Sequence, residues 1–299
     1  MGIFKSRVAK AVFTQAWLLG LAAGTGQCWA NAAMPIGLSG WNADVIYLPG
    51  VTNETVQSFD GSGYAWFVEG YYPPSTAFQG SGLPSSADTT TFGSAANDTC
   101  NPDRTQYQFQ PFTGNNVLKL GSPADPGQTL TLSTPEGYNN LAIIAASGNT
   151  GVTNYTSTFT LTFSDGSTSG PITYDPYDWG EGGKTTQQAA QQVFSTALGR
   201  TPTGNTYGSP QDAGYFNMYE TDINLTELTS SDLAADSAKF IKSITFATPS
   251  GGRVGVFAIS GVQNTSATDP LPEPSAAGLL IAAAVPLLLR RNTGGWARR

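Results

Sequence analysis

Hydrophobic and polar residues alternate in short blocks along most of this chain, and the length and period of the blocks argue for strands. Residues 158–163 are the cleanest case. Phe159, Leu161 and Phe163 fall on one face and Thr158, Thr160 and Thr162 on the other, the two-residue period of a half-buried strand. Asp165-Gly166 supplies a turn, and 168–173 can return as a partner. Residues 141–146 (Leu-Ala-Ile-Ile-Ala-Ala) are apolar without interruption, which predicts a strand covered on both faces. Near the end of the body, 240–246 and 253–259 flank Pro249-Ser250-Gly251-Gly252. In the second of these, Val254, Val256 and Ala258 oppose Gly255, Phe257 and Ile259. Shorter strand candidates are 45–48, the aromatic stretch 63–72 stopped by Pro73-Pro74, 107–112, 117–120, 129–132, 215–219 and 221–225. Two segments read as short helices. One is 185–198, with Ala189, Ala190, Val193, Phe194 and Leu198 along one stripe; the other is 231–238. The body is therefore expected to be all-β with one or two short inserted helices and long connections at 73–103 and 199–214.

The two ends follow different rules. Lys5, Arg7 and Lys10 precede an apolar run at 11–24, and small-residue cleavage sites follow at Cys28-Trp29-Ala30 and Ala30-Asn31-Ala32. Those three parts predict a secretory signal peptide over 1–32, handled by the Sec translocon and signal peptidase. At the other end, 276–289 is apolar and stops at Arg290-Arg291. As a helix this run covers about 21 Å against a hydrocarbon core of about 30 Å, and Pro286 interrupts it. A transient membrane stop fits better than a permanent span. Pro272-Glu273-Pro274 stands just before it. The order Pro-Glu-Pro, apolar stretch, arginine pair over 271–299 resembles the PEP-CTERM sorting signal of exported bacterial proteins. That resemblance implies an exosortase-like membrane transpeptidase as partner, membrane association before processing, and a cell-surface or extracellular-matrix destination linked to exopolysaccharide and biofilm. Residues 263–270 read as the linker to it, with flexible composition from Ser260 onward.

Charge sharpens the picture of what lies between. Seven of the 14 basic residues fall in the two terminal segments and all but Glu273 of the 21 acidic ones fall outside them. Residues 33–272 thus carry 7 basic and 20 acidic groups, formally −13. Such a surface repels phosphate backbones, so nucleic acid is not an expected partner. The chain has no histidine, which removes Cys–His and Ser–His catalysis, and signal cleavage would leave Cys100 without an internal disulfide partner.

The order of motifs in the later half carries a second resemblance. A Phe-x-Leu-x-Phe-x-Asp-Gly-Ser hairpin at 159–167 is followed by Asp178-Trp179, the Tyr-rich 215–219, Lys242-Ser243-Ile244-Thr245-Phe246 and the strand 254–259. Residues 117–262 resemble galactose-binding-like domains, which implies a jelly-roll-like β-sandwich spanning 33–262. It also makes carbohydrate a candidate ligand. Trp66, Tyr71, Tyr72 and Trp179 are the candidate sugar contacts, since flat aromatic faces stack on pyranose rings; the same rings could equally fill a core. Asp175, Asp178 and Glu181 are candidate ligands for a structural Ca²⁺, although no EF-hand spacing is present. Glu220 and Asp222, on one face of a strand, are a weaker pair.

Three functions stay open at this point. The first is a non-catalytic surface or matrix protein with carbohydrate binding as its candidate activity. The second is a secreted polysaccharide hydrolase working through paired carboxylates. The third is a purely structural matrix component.

Overall fold

The apolar run at 141–146 proves to be the centre of the molecule. The computed structural model describes residues 33–51, 55–72, 82–83, 90–92, 105–121, 128–151, 155–181, 192–197, 199–204, 214–227 and 238–267. The expected signal peptide 1–32, Cys100, all of the expected helix 231–238 except Ala238, and the expected sorting segment with Pro272, Glu273, Pro274, Arg290 and Arg291 lie outside these residues.

In chain order the strands are β1 (Met34–Pro35), β2 (Leu38–Ser39), β3 (Ile46–Tyr47), β4 (Tyr64–Phe67), β5 (Thr90–Phe92), β6 (Thr105–Tyr107), β7 (Leu118–Leu120) and β8 (Thr129–Glu136). They continue with β9 (Tyr138–Gly148), β10 (Ser157–Phe163), β11 (Ile172–Tyr174), β12 (Gln192–Ala197), β13 (Thr201–Pro202), β14 (Phe216–Asn224), β15 (Ile241–Phe246) and β16 (Arg253–Gln263). A 3-10 turn, Trp179–Glu181, follows β11.

Two antiparallel sheets form a sandwich. The central sheet runs β1-β16-β9-β14-β12, with β7 beside β1 along the same edge of β16, and the outer sheet runs β11-β10-β15-β8-β2. A cover layer made of the small sheets β13-β4-β3 and β5-β6 and their loops lies on the other side of the central sheet. Burial follows from this layering. Leu141, Ile143 and Ala145 join Leu130, Phe159, Leu161, Ile244 and Phe246 in a core between the two large sheets. Ala142, Ile144 and Ala146 point the opposite way, into an aromatic core with Phe59, Trp66, Phe67, Tyr71 and Phe216. One apolar run thus serves two cores, which is why it never alternates with polar residues.

β16 reaches the same result with an extra residue. Its register with β9 passes from Val256↔Ala145 to Ala258↔Ile144, leaving Phe257 unmatched in a β-bulge. Phe257 and Ala258 therefore both face the aromatic core, while Val256 and Ile259 face the other. The simple alternation expected over 254–259 breaks at this bulge, which puts Ala258 and Ile259 each on the face opposite to expectation.

Two further expectations are corrected. Residues 192–197 form β12 rather than part of a helix over 185–198; they pair antiparallel with β14 from Gln192↔Glu220 to Ala197↔Phe216. The outer edge of β14 offers unpaired backbone donors and acceptors, and pairing there overrides a modest helix propensity. Ser260–Gln263 belong to β16, buried through Val262, rather than to a linker. Beyond them Asn264 still donates its N–H to the Gly137 carbonyl at 2.8 Å. At the start of the body, β1 and β2 complete the edges of the central and outer sheets, so the sandwich draws on residues well before 117.

Candidate functional site

The four candidate sugar contacts are core residues. Trp66 lies on β4, Tyr71 and Tyr72 in the turn after it, and Trp179 in the 3-10 turn; their exposures are 0, 2, 3 and 2%. Trp66 and Trp179 meet edge to face with centroids 5.0 Å apart, and Phe59 packs against both at 5.8 and 4.8 Å. Tyr71 and Tyr72 sit 4.9 Å apart in the same manner, with Phe67 4.7 Å from Tyr72. Each ring is buried against neighbouring rings, where burial of about 150–250 Å² per aromatic is worth more than solvent exposure. None offers a face to a pyranose ring. The Tyr72 hydroxyl meets Thr201 Oγ1 at 2.5 Å, and burial pushes it up to about 12.

The acidic segment is also committed locally. Asp175 accepts a hydrogen bond from the Thr156 hydroxyl at 3.2 Å, and Asp178 accepts one from the Gly180 N–H at 2.9 Å. The backbone of this segment is stitched to the central sheet. Ser147 N–H donates to the Tyr177 carbonyl at 2.8 Å, and the Tyr219 hydroxyl to the Asp178 carbonyl at 3.2 Å. Those bonds, together with Trp179 reaching into the aromatic core, explain why the segment folds down as it does. Glu181 closes the 3-10 turn, and its side chain is outside what is described. Among the described residues no three Asp, Glu or Cys side chains gather into a group able to hold a metal ion. Glu220 is buried on β14, on the aromatic-core face.

The most organised polar cluster involves residues that the sequence did not single out. The loop Ser58-Phe59-Asp60-Gly61-Ser62-Gly63 wraps around the Asp60 carboxylate. Its Oδ1 accepts from Ser62 N–H at 2.7 Å, Tyr64 N–H at 3.3 Å and the Ser58 hydroxyl at 3.0 Å. Its Oδ2 pairs with Arg200 Nη1 at 3.1 Å, where the Asp60 side chain is fully buried and that of Arg200 is 22% exposed. The Arg200 guanidinium lies 3.5 Å from the Tyr64 ring centroid, with Phe216 at 5.3 Å and Trp179 at 5.9 Å. Gly148, the last residue of β9, makes room for the loop, because a Cβ there would stand 2.9 Å from Asp60 Cβ and 3.2 Å from Trp179 Nε1. Asn149, in the left-handed region at φ 56°, donates to the Asp60 carbonyl at 2.9 Å and to the Ser62 hydroxyl.

Chemically, this cluster is a clasp. A desolvated carboxylate is neutralised by a cation whose face is stacked on aromatic rings, and the arrangement ties the cover layer to one end of the central sheet. The sequence signal was slight: a turn-forming Asp-Gly-Ser-Gly and one of only seven basic residues in an acidic body.

No family model, curated protein or solved structure matches the chain. Among the described residues, no helix is long and apolar enough to cross a membrane.

Proposed function

We propose that this chain is a non-catalytic exported protein of the bacterial cell surface or extracellular matrix, addressed there by its C-terminal segment. The observation that carries the proposal is the ordered set of terminal signals. A basic–apolar–small signal at 1–32 is answered by Pro272-Glu273-Pro274, the apolar run 276–289 and Arg290-Arg291. The exosortase-like transpeptidase is the implied partner. The test is expression in a host that carries an exosortase and in the same host without it, followed by mass spectrometry of the mature chain. Loss of the tail only in the first host supports the reading; an exported chain that keeps its tail in both sinks it.

The strand order supports a jelly-roll for the body. Of the eight strands β7–β11 and β14–β16, the central sheet holds β7-β16-β9-β14 and the outer sheet β8-β15-β10-β11. The chain changes sheets at most connections, as in a roll of two Greek keys.

Carbohydrate contact is retained as a second reading on one observation. With the four nominated rings buried, the outward face of the outer sheet becomes the candidate surface. Ser39, Thr131, Ser243 and Thr162 are matched across four strands, and Thr129, Thr245 and Thr160 across three. These rows present hydroxyls that suit a polyhydroxylated ligand. A glycan-array measurement tests it: binding lost on Thr131→Val with Thr160→Val supports this surface, and no binding by the parent refutes it.

A further inference from the structure

Both ends of the folded body leave from the same end of the sandwich. β1 is the first strand, and Met34 and Pro35 pair with Gly261 and Ser260 near the finish of the last strand, β16. The Ala33 carbonyl, one residue earlier, accepts the Gln106 N–H at 2.9 Å, so the body is ordered from its first described residue. At the other terminus the fold continues past β16. Asn264 N–H donates to Gly137 at 2.8 Å, Asn264 Oδ1 accepts Ser266 N–H at 2.9 Å, and Ala267 N–H returns to the Asn264 carbonyl at 3.0 Å. Ala267 packs so closely on Gly137 that a Cβ at 137 would collide with its methyl group.

These contacts leave little free chain. Pro272 is five residues beyond Ala267, about 18 Å at full stretch. The predicted signal h-region ends at Gly24, nine residues before Ala33, or about 32 Å. β9 alone, at 11 residues, is about 36 Å long and carries the Asp60–Arg200 clasp at its far end.

The geometry points to an end-on encounter: the membrane transpeptidase that reads Pro272-Glu273-Pro274 meets the folded body at the Gly137–Asn264–Ala267 end. This rests on the sorting reading above. The neighbouring surface at this end bears Glu136, which accepts from the Tyr138 hydroxyl at 3.1 Å and Gln263 Nε2 at 2.6 Å, and the Asp165–Lys239 pair at 3.2 Å. The enzyme must reach the motif across this surface, and the clasp end points away from it. Residues 268–271 then act as a spacer of fixed minimum length, and their identity matters little.

The test uses the full chain in an exosortase-bearing host and follows tail removal over time. Deleting 268–271 brings Pro272 against Ala267 and should slow processing on the order of a hundredfold, the loss expected when a reacting bond is misplaced. Replacing 268–271 with four Gly or Ser residues should process like the parent, and so should inserting eight Gly or Ser residues after 267. Combining the deletion with Asn264→Pro, which removes the N–H bond to Gly137 and lets 264–267 lengthen the tether, should recover processing. Normal processing of the deletion variant overturns the inference, as does a Gly/Ser replacement that fails as badly as the deletion, since the enzyme would then be reading sequence. A parent that is never processed defeats the sorting reading itself, and this inference with it.

Discussion

Gly255 is the point where the aromatic core presses hardest on the central sheet. A Cβ there would stand 2.6 Å from Phe59 Cε2, 3.0 Å from Val117 Cγ2 and 3.2 Å from Phe257 Cε2. Phe59 has no retreat, because Trp179, Trp66 and Phe257 hold it with centroids at 4.8, 5.8 and 5.8 Å. Gly255→Ala should therefore cost close to the upper end of overpacking penalties, about 3 kcal/mol. For a body of this size that corresponds to a fall in Tm of about 6–12 °C. The assay is thermal and urea denaturation of the purified chain. The cause is isolated by Phe59→Leu, which removes the ring edge at a cost of about 2 kcal/mol from lost transfer energy and the cavity left behind. Placed in that background, Gly255→Ala should cost at least about 1 kcal/mol less than in the parent, a coupling typical of residues in contact. An unchanged Tm for Gly255→Ala, or the same penalty in both backgrounds, would refute this account of the packing.

Three other outcomes follow from the clasp, the hairpin and the core. Arg200→Ala strands the buried Asp60 carboxylate and should cost about 3 kcal/mol in urea denaturation, whereas Arg200→Lys, which keeps charge but loses the planar stack on Tyr64, should cost about 1 kcal/mol. Equal losses would show that charge alone matters. Asp165 is held down at about 2, first by the Ser167 hydroxyl, then by the Ser167 N–H, with Lys239 adding to the effect. A depressed carboxyl contributes stability above its ordinary 3.8 and loses it as pH falls from 3.8 to about 2, so the Tm gap between parent and Asp165→Asn should close through that window. Of the tryptophans in the described body, Trp66 and Trp179 are buried and Trp41 is partly exposed, so acrylamide should quench only the Trp41 share of the fluorescence. Full quenching would contradict the buried placement of the proposed sugar contacts.

Most of the sandwich was legible because its strands carry their own instructions. The strict alternation at 158–163 became β10, with Phe159, Leu161 and Phe163 inward, and the uninterrupted run at 141–146 correctly signalled cover on both sides. What sequence could not show was what lay on the second side. The cover layer is built from two- to four-residue strands, too short for any period to register, and β3 and β4 pair in parallel across sixteen intervening residues. The same brevity hid the site. Aromatic residues at 64–72 look alike whether they face a sugar or a core, and only their placement against Phe59 and Phe257 decides it. Asp60 and Arg200 are 140 positions apart, and local pattern carries no information across that distance. The misreading of 192–197 has a similar origin: Val193 and Phe194 fit a helical stripe with Ala189, Ala190 and Leu198, yet with Thr196 they also favour a strand, and only the distant edge of β14 decides between the two.

A central sheet with cores on both faces sets a limit on how this chain can be trimmed. The stretch 117–262, the part with a recognisable order of motifs, holds both large sheets except for β1, β2 and the last residue of β16. Shortened to that stretch, the protein would lose Phe59, Trp66, Phe67, Tyr71 and Tyr107 and bare Ile144, Met218, Phe257 and Trp179 to water. An apolar face of that breadth invites self-association. A shortened chain should therefore be recovered as aggregate, however complete its sandwich looks on paper, and residues 33–116 are best understood as what keeps the sandwich soluble.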